Sequence, residues 1–303
     1  MTQNQRWVLS PGILFAIAAP LLYSASIPLS KVFLKQVDPW MLAGLLDLGA
    51  ALGTVLIYLG RWAIARRPAK GGLVGKDWWW LWGSVVAGGM IAPVLQAFGI
   101  AHSTAASASL LLNLEGVFTA LIAWVVFREV FNRQLALGLA FITAGSMVLV
   151  LGEGSEVRMS WGALAVVGAA LAWATTSNLT HKVSSNDPLQ VIFWKTGISG
   201  SFNVTLALLI GNKLPPWPTL QGIAIAGFLC IGLTFICFLM ALRYIGTSQT
   251  GTLFSLFPFS GAVISVVFLK EPLTPGLIGA ATLMAVGLGF CLGTSNKSVL
   301  PPS

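Results

Sequence analysis

Three acidic or basic side chains lie inside long apolar runs of the chain: Asp47, Glu115 and Lys195. A charge inside a bilayer is expensive, so such residues mark substrate paths, proton relays or counter-ions. Glu115 falls near the middle of its run and precedes the flexible Gly116. It is the candidate coupling residue, with a neutral, hydrogen-bonded place in a helix bundle as the competing role. Around these charges are polar and aromatic groups at helical spacing. Trp173, Ser177 and Asn178 stand at i, i+4 and i+5, and Tyr23, Ser24 and Ser26 occupy another run. Met90, Pro93 and Gln96 follow the spacing that puts residues on one helix face. Ser107 and Thr250 add hydroxyls. An aromatic ring beside hydroxyl and amide groups suits a small amphipathic solute, the ring stacking on its apolar part. Tyr23, Ser24, Met90, Pro93, Gln96, Ser107, Trp173, Ser177, Asn178 and Thr250 are therefore the candidate cavity residues, with helix–helix packing by small polar groups as the alternative.

The elements that position these residues follow from composition. Of 303 residues, 56% are hydrophobic and only 9% are charged. The mean hydropathy is +0.85. A soluble domain carries roughly 25% charged residues. With 33 Gly and 12 Trp besides, the chain describes an all-α integral membrane protein. Nucleic-acid binders, secreted disulfide scaffolds and ordinary soluble enzymes are excluded, and no nucleic-acid partner is expected. No nucleophile–base set or phosphate-cradling Gly loop is evident, so neither an enzyme nor a bound cofactor is expected. Cys230, Cys237 and Cys291 lie in apolar runs as small hydrophobes, and His102 and His181 stand at run ends without further ligands. No metal site is expected.

A spanning helix needs about 20 mostly apolar residues. Ten runs qualify: 11–33, 40–60, 78–100, 103–127, 134–152, 159–181, 189–210, 219–242, 246–269 and 273–294. Lys and Arg then divide 11 to 5 between the two sides. The richer side holds Arg6, Arg61, Arg66, Arg67, Lys70, Lys76, Arg128, Arg133, Lys182, Arg243 and Lys297; the poorer holds Lys31, Lys35, Arg158, Lys213 and Lys270. Cytoplasmic loops carry the excess, so both termini are expected in the cytoplasm. This bias and the short tails favour a multi-pass protein of a bacterial inner membrane, as a monomer or homodimer in contact with lipid. Trp78, Trp79, Trp80 and Trp82 read as an interfacial anchor. Counted at 1.5 Å per residue, Asp47 lies about 10 Å from the outer face and Lys195 about 9 Å from the cytoplasmic face. In a core about 30 Å thick they fall about 10 Å apart along the normal and are not expected to pair. Lys195 is expected to snorkel to the headgroups, and Asp47 to bond a neighbouring helix or water at the outer vestibule.

The two halves of the chain resemble each other. From Thr104 a shift of 142 aligns Gly116 with Pro258 and Arg128–Glu129 with Lys270–Glu271. Asp38–Pro39 and Asp187–Pro188 open the second and seventh runs, and Lys31 and Lys182 end the first and sixth. Five spans per half is odd, so the second copy enters from the opposite side. The expected fold is ten transmembrane helices as two inverted five-helix repeats around a central cavity, residues 11–152 and 153–294, flanked by cytoplasmic tails 1–10 and 295–303. Such symmetry lets a protein exchange inward-open and outward-open shapes, which a transporter needs. Helix breakers mark the expected hinges: Pro20 and Pro28 in the first span, Gly88, Gly89 and Pro93 in the third, Gly116 in the fourth and Pro258 in the ninth.

These residues resemble the EamA repeat of the drug/metabolite transporter superfamily. The second copy reads Ala241-Leu242-Arg243-Tyr244, Pro258 and Lys270-Glu271; the first reads Ala97-Phe98, Glu115-Gly116 and Arg128-Glu129. The resemblance implies a central cavity with the fifth and tenth helices peripheral. Departures are Tyr23-Ser24 in place of Trp-Gly, Gly116 in place of Pro, and Asp47 where the second span often holds a basic residue. Lys195 does stand where the seventh span often has one. The weakly charged, Trp-rich spans look most like YddG-type exporters of aromatic amino acids. The resemblance thus implies a secondary transporter or facilitator exporting hydrophobic, foremost aromatic, amino acids and related small metabolites. Proton-coupled efflux of cationic or aromatic drugs through Glu115 is the alternative. A nucleotide-sugar or sugar-phosphate carrier is weaker, because phosphates need paired Lys or Arg.

Overall fold

The computed structural model describes residues 11–65, 75–128, 133–151, 160–181 and 188–295, and every regular element among them is helical. Arg6, Arg66, Arg67, Lys70, Glu129, Arg158, Lys182, Asp187, Lys297 and the 152–153 boundary lie outside the described residues, as do tail residues 1–10 and 296–303. The helices are α1 (Pro11–Phe33), α2 (Pro39–Ala65), α3 (Asp77–Val85), α4 (Ala92–Ala101), α5 (Ala105–Leu111), α6 (Leu114–Phe127) and α7 (Arg133–Leu151). They continue as α8 (Trp161–His181), α9 (Pro188–Leu209), α10 (Trp217–Gly227), α11 (Thr234–Phe254), α12 (Phe257–Leu269) and α13 (Pro275–Ser295). A π-helical turn, Val86–Ile91, joins α3 to α4, and another, Phe228–Leu233, joins α10 to α11.

Among the described residues, seven helical stretches are long and apolar enough to cross a membrane: Pro11–Phe33, Pro39–Gly60, Asp77–Ala101, Ala105–Val126, Arg133–Leu151, Trp161–Thr180 and Trp217–Gly246. Of the remaining expected spans, α9 has 22 residues but carries Gln190, Lys195, Thr196, Ser199 and Asn203, which lower its hydropathy. The described apolar parts of α12 and α13 are shorter, Phe257–Leu269 and Pro275–Cys291. Two expected spans are not continuous helices. The fourth breaks between α5 and α6 at Leu112–Asn113, and the ninth between α11 and α12 at Ser255–Leu256. The eighth and ninth runs meet at Gly246, whose φ of 81° turns the chain within α11.

These irregularities recur at one offset. Each π turn has its counterpart 142 residues on, Val86–Ile91 matching Phe228–Leu233. The break at 112–113 is matched at 254–255, one residue from the observed 255–256. Arg128 and Lys270, again 142 apart, both cap their helices in the left-handed conformation, at φ 56° and 54°.

Packing places α1 against α11 and α12, α2 against α9 and α10, and α4 and α6 against α8. α7 packs chiefly on α13, and neither lines the central cavity. The α2–α9 crossing depends on two glycines. A Cβ on Gly44 would overlap Val204 of α9, and one on Gly200 would overlap Leu48 of α2. Small residues at such a contact let two backbones approach closely. Trp78 packs edge-on against Trp194 at 5.8 Å, while Trp79 remains 80% exposed, as an interfacial anchor requires.

Candidate functional site

A central cavity of about 240 Å³ lies where α1, α2, α4, α8, α9 and α11 converge. Tyr23, Pro93, Gln96 and Trp173 line it, together with Gly88 of the π turn. The Trp173 Nε1–H donates to Gln96 Oε1 at 2.9 Å. That bond satisfies the polar end of the indole and fixes the ring plane. Tyr23 meets Phe257 edge-on at 4.9 Å and Phe254 at 5.9 Å. Phe254 and Phe235 complete an aromatic wall.

Both off-centre charges also line this cavity. Lys195 Nζ donates to Thr176 Oγ1 at 3.1 Å and stands 5.2 Å from the Trp173 ring centroid. The expected snorkelling to headgroups is therefore corrected: a hydroxyl and a π face, which attracts a cation, hold the ammonium inside. Asp47 Oδ2 accepts from Ser199 Oγ at 2.6 Å. Ser199 stands four residues after Lys195 on α9, so Lys195 and the hydroxyl that holds Asp47 share one face of that helix. The two charges, not expected to pair, are each held by a hydroxyl.

The other expected cavity residues are placed elsewhere. Ser24 is fully buried and donates to the carbonyl of Phe257 at 2.8 Å, beside Ser260. It joins α1 to α12. Thr250, also buried, donates to the Gly246 carbonyl at 2.7 Å, within its own helix. Asn178 Nδ2 donates to the Ala174 carbonyl at 2.9 Å, and Ser177 Oγ to Glu115 Oε1 at 3.1 Å. Ser107 lies in the first turn of α5, where its N–H is capped by Thr104 Oγ1 at 3.1 Å. Met90 packs with Leu81, Val85 and Val191. It leaves the face of Pro93 and Gln96 because the π turn changes the number of residues per turn. None of these six lines the cavity.

The expected hinges also divide. α1 runs unbroken through the buried Pro20 and Pro28. Pro258 occupies the first turn of α12, where a missing N–H has no partner to lose, whereas Pro93 directly follows the π turn and leaves a carbonyl of that turn without its helical donor. Gly116 is the third residue of α6, exposed, with open space where a Cβ would stand. Gly88 and Gly89 lie in the π turn, and a Cβ on them would overlap Thr176 and Ser199 respectively. In a continuous α-helix the Gly89 carbonyl would accept from the N–H of residue 93, which proline lacks. That carbonyl instead accepts from Asn203 Nδ2 at 3.0 Å. Freed backbone groups at membrane depth need such a partner.

Composition alone left several wall residues unremarked. Phe235 and Thr234 follow the second π turn, and Ser30, Thr180 and Thr196 are single hydroxyls in apolar runs. Phe254 ends α11, just before the break. Its signal in the sequence was the alignment of that break with 112–113.

The described residues are thus helical, with several helices long and apolar enough to cross a membrane, around an aromatic cavity with a few polar points. The chain belongs to the EamA-like transporter family, whose model matches residues 10–151 and again 160–293. Its relatives include an uncharacterized transporter of Methanothermobacter thermautotrophicus, 30% identical over 206 residues. That match covers 65% of this chain and 60% of the archaeal protein. The uncharacterized transporter YvbV of Bacillus subtilis is 24% identical over 289 residues, 92% of this chain and 90% of its own length. YyaM of the same bacterium is 22% identical over 200 residues, 63% of this chain and 65% of its own. A solved crystal structure superposes with a TM-score of 0.68 over 95% of this chain and 99% of its own, at 16% identity. That likeness bears on the fold alone.

Proposed function

We propose that the chain is a secondary transporter or facilitator that exports hydrophobic, foremost aromatic, amino acids by alternating access. The observation that carries this reading is the central cavity, where Tyr23, Trp173, Phe235 and Phe254 supply aromatic surface and Gln96, Asp47 and Lys195 supply separate polar points. A site lined mainly by apolar groups with a few placed polar ones suits a small molecule with an apolar body. Only one cation lines the cavity among the described residues, which disfavours phosphorylated cargo. Two inverted five-helix repeats would provide the exchange of access. The repeated π turns and left-handed caps, each at an offset of 142, support that arrangement. With the Lys and Arg distribution of the sequence, the same reading puts both termini in the cytoplasm of a bacterium.

The test is uptake into liposomes containing the purified protein, with phenylalanine, tryptophan, neutral aliphatic amino acids and a quaternary amine. Saturable movement of the aromatic amino acids is expected. Movement of the quaternary amine alone would favour drug efflux, and saturable movement of none would overturn the proposal. Repeating the assay with and without a pH gradient decides whether protons are coupled.

A further inference from the structure

We propose that Lys195 and Asp47 are the two poles of one zwitterion site, Lys195 taking the carboxylate of the cargo and Asp47 its ammonium. This rests on the amino-acid reading above and names how the cavity recognises that class. Both side chains line the same cavity, and each is held by a hydroxyl: Lys195 by Thr176 at 3.1 Å, Asp47 by Ser199 at 2.6 Å. Neither hydroxyl neutralises its charge. Among the described residues Lys195 Nζ spends one of its donors on Thr176, and Asp47 is engaged through Oδ2, with no donor on Oδ1. The Asp47 carboxylate is fixed on Ser199, one turn along α9 from Lys195. With both charges lining one cavity and held at neighbouring turns of α9, a small molecule with opposite charges on a single carbon can meet both. Trp173 lies beneath the Lys195 ammonium, 5.2 Å from ring centroid to Nζ, with its own N–H fixed on Gln96. A side chain attached to that carbon would then lie on the aromatic wall of Trp173, Tyr23 and Phe254. Burying a charge is costly, and a zwitterion satisfies both poles at once, so a cavity lined by both groups favours a ligand that carries both charges.

The experiment measures competition and flux in proteoliposomes with three probes: phenylalanine, phenethylamine (no carboxylate) and 3-phenylpropionate (no ammonium). On the unaltered protein, each single-charge probe should compete about tenfold or more weakly than phenylalanine, the effect of losing one charge-assisted contact. Equal competition by all three overturns the two-pole site. Lys195→Gln should weaken phenylalanine and phenylpropionate about tenfold or more and leave phenethylamine within about twofold, the scale set by one such contact. Asp47→Asn should weaken phenylalanine and phenethylamine and spare phenylpropionate. Lys195→Arg and Asp47→Glu, which keep the charges, should retain most of the phenylalanine flux. Uniform loss of all three probes in a folded charge-removing variant, or no loss of phenylalanine, overturns the assignment. If the unaltered protein moves no amino acid, the amino-acid reading itself fails; if it moves phenylalanine without these charge-matched effects, only the two-pole site fails.

Discussion

At the scale of single residues, the cavity depends on how its aromatic groups are oriented. The Gln96–Trp173 bond is the clearest case. Gln96→Leu would leave the indole N–H unpaired, with an expected loss of about 1–3 kcal/mol of stability. The Michaelis constant for an aromatic amino acid should rise several-fold while the protein remains folded; flux and thermal unfolding in detergent check both. Glu115 illustrates the opposite case. Its carboxylate accepts from Ser177 and does not line the cavity. Glu115→Gln keeps an acceptor for that hydroxyl, so uptake should persist with little change in rate. Abolished uptake by folded Glu115→Gln protein would assign coupling to this residue.

At the scale of elements, the structure shows how irregular backbone is stabilised. The π turn before α4 leaves Gly89 O to Asn203, so Asn203→Leu should destabilise the protein by about 1–3 kcal/mol, the cost of one unsatisfied buried group. The corner between α4 and α5 is held from both sides. Lys31 Nζ donates to the carbonyls of Ile100 at 2.6 Å, Ala101 at 3.2 Å and Ser103 at 2.5 Å. Glu271 accepts from the N–H groups of Ala105 at 2.7 Å and Ala106 at 2.8 Å. A cation thus caps the end of one helix and an anion the start of the next, each matching the local helix dipole. Glu271→Ala removes both acceptors, and the unfolding temperature should fall measurably, whereas Glu271→Gln retains one acceptor oxygen and should lose less. Equal stability of the alanine variant and the unaltered protein would show the corner to be held by packing alone. Its counterpart across the 142 offset, Glu129, lies outside the described residues.

At the scale of the whole molecule, the membrane determines which surfaces are apolar. Trp79 is exposed beside Trp78 at the start of the third span. Its fluorescence should be quenched most strongly by lipids brominated near the headgroup and least by those brominated near the bilayer centre, measured on a variant that retains Trp79 alone. The opposite order would displace the span relative to the bilayer. Much of this architecture was legible in the chain. Apolar runs of about 20 residues can only be helices in lipid, because every backbone group must be satisfied internally, and all seven candidate spans fall on expected runs. The 142-residue offset was also readable, since Arg128 and Lys270 are matching termini.

The site was legible only in part. Tyr23, Pro93, Gln96 and Trp173, which line the cavity, stand out in the sequence as aromatic, amide or proline positions within apolar runs. Ser24 and Met90 lie off the cavity because a helical repeat of 3.6 residues cannot foresee a hydroxyl that bonds across to another helix or a π turn, and the Thr250 hydroxyl turns back on its own helix at Gly246. Membrane class, helical composition and the two-fold internal repeat were thus determined by the sequence itself, since they depend on local hydrophobicity and spacing. Which side chains share one cavity was decided only by the tertiary structure. Lys195 and Asp47 are 148 positions apart in the chain, and the glycine-permitted crossing of α2 and α9 brings both to one cavity.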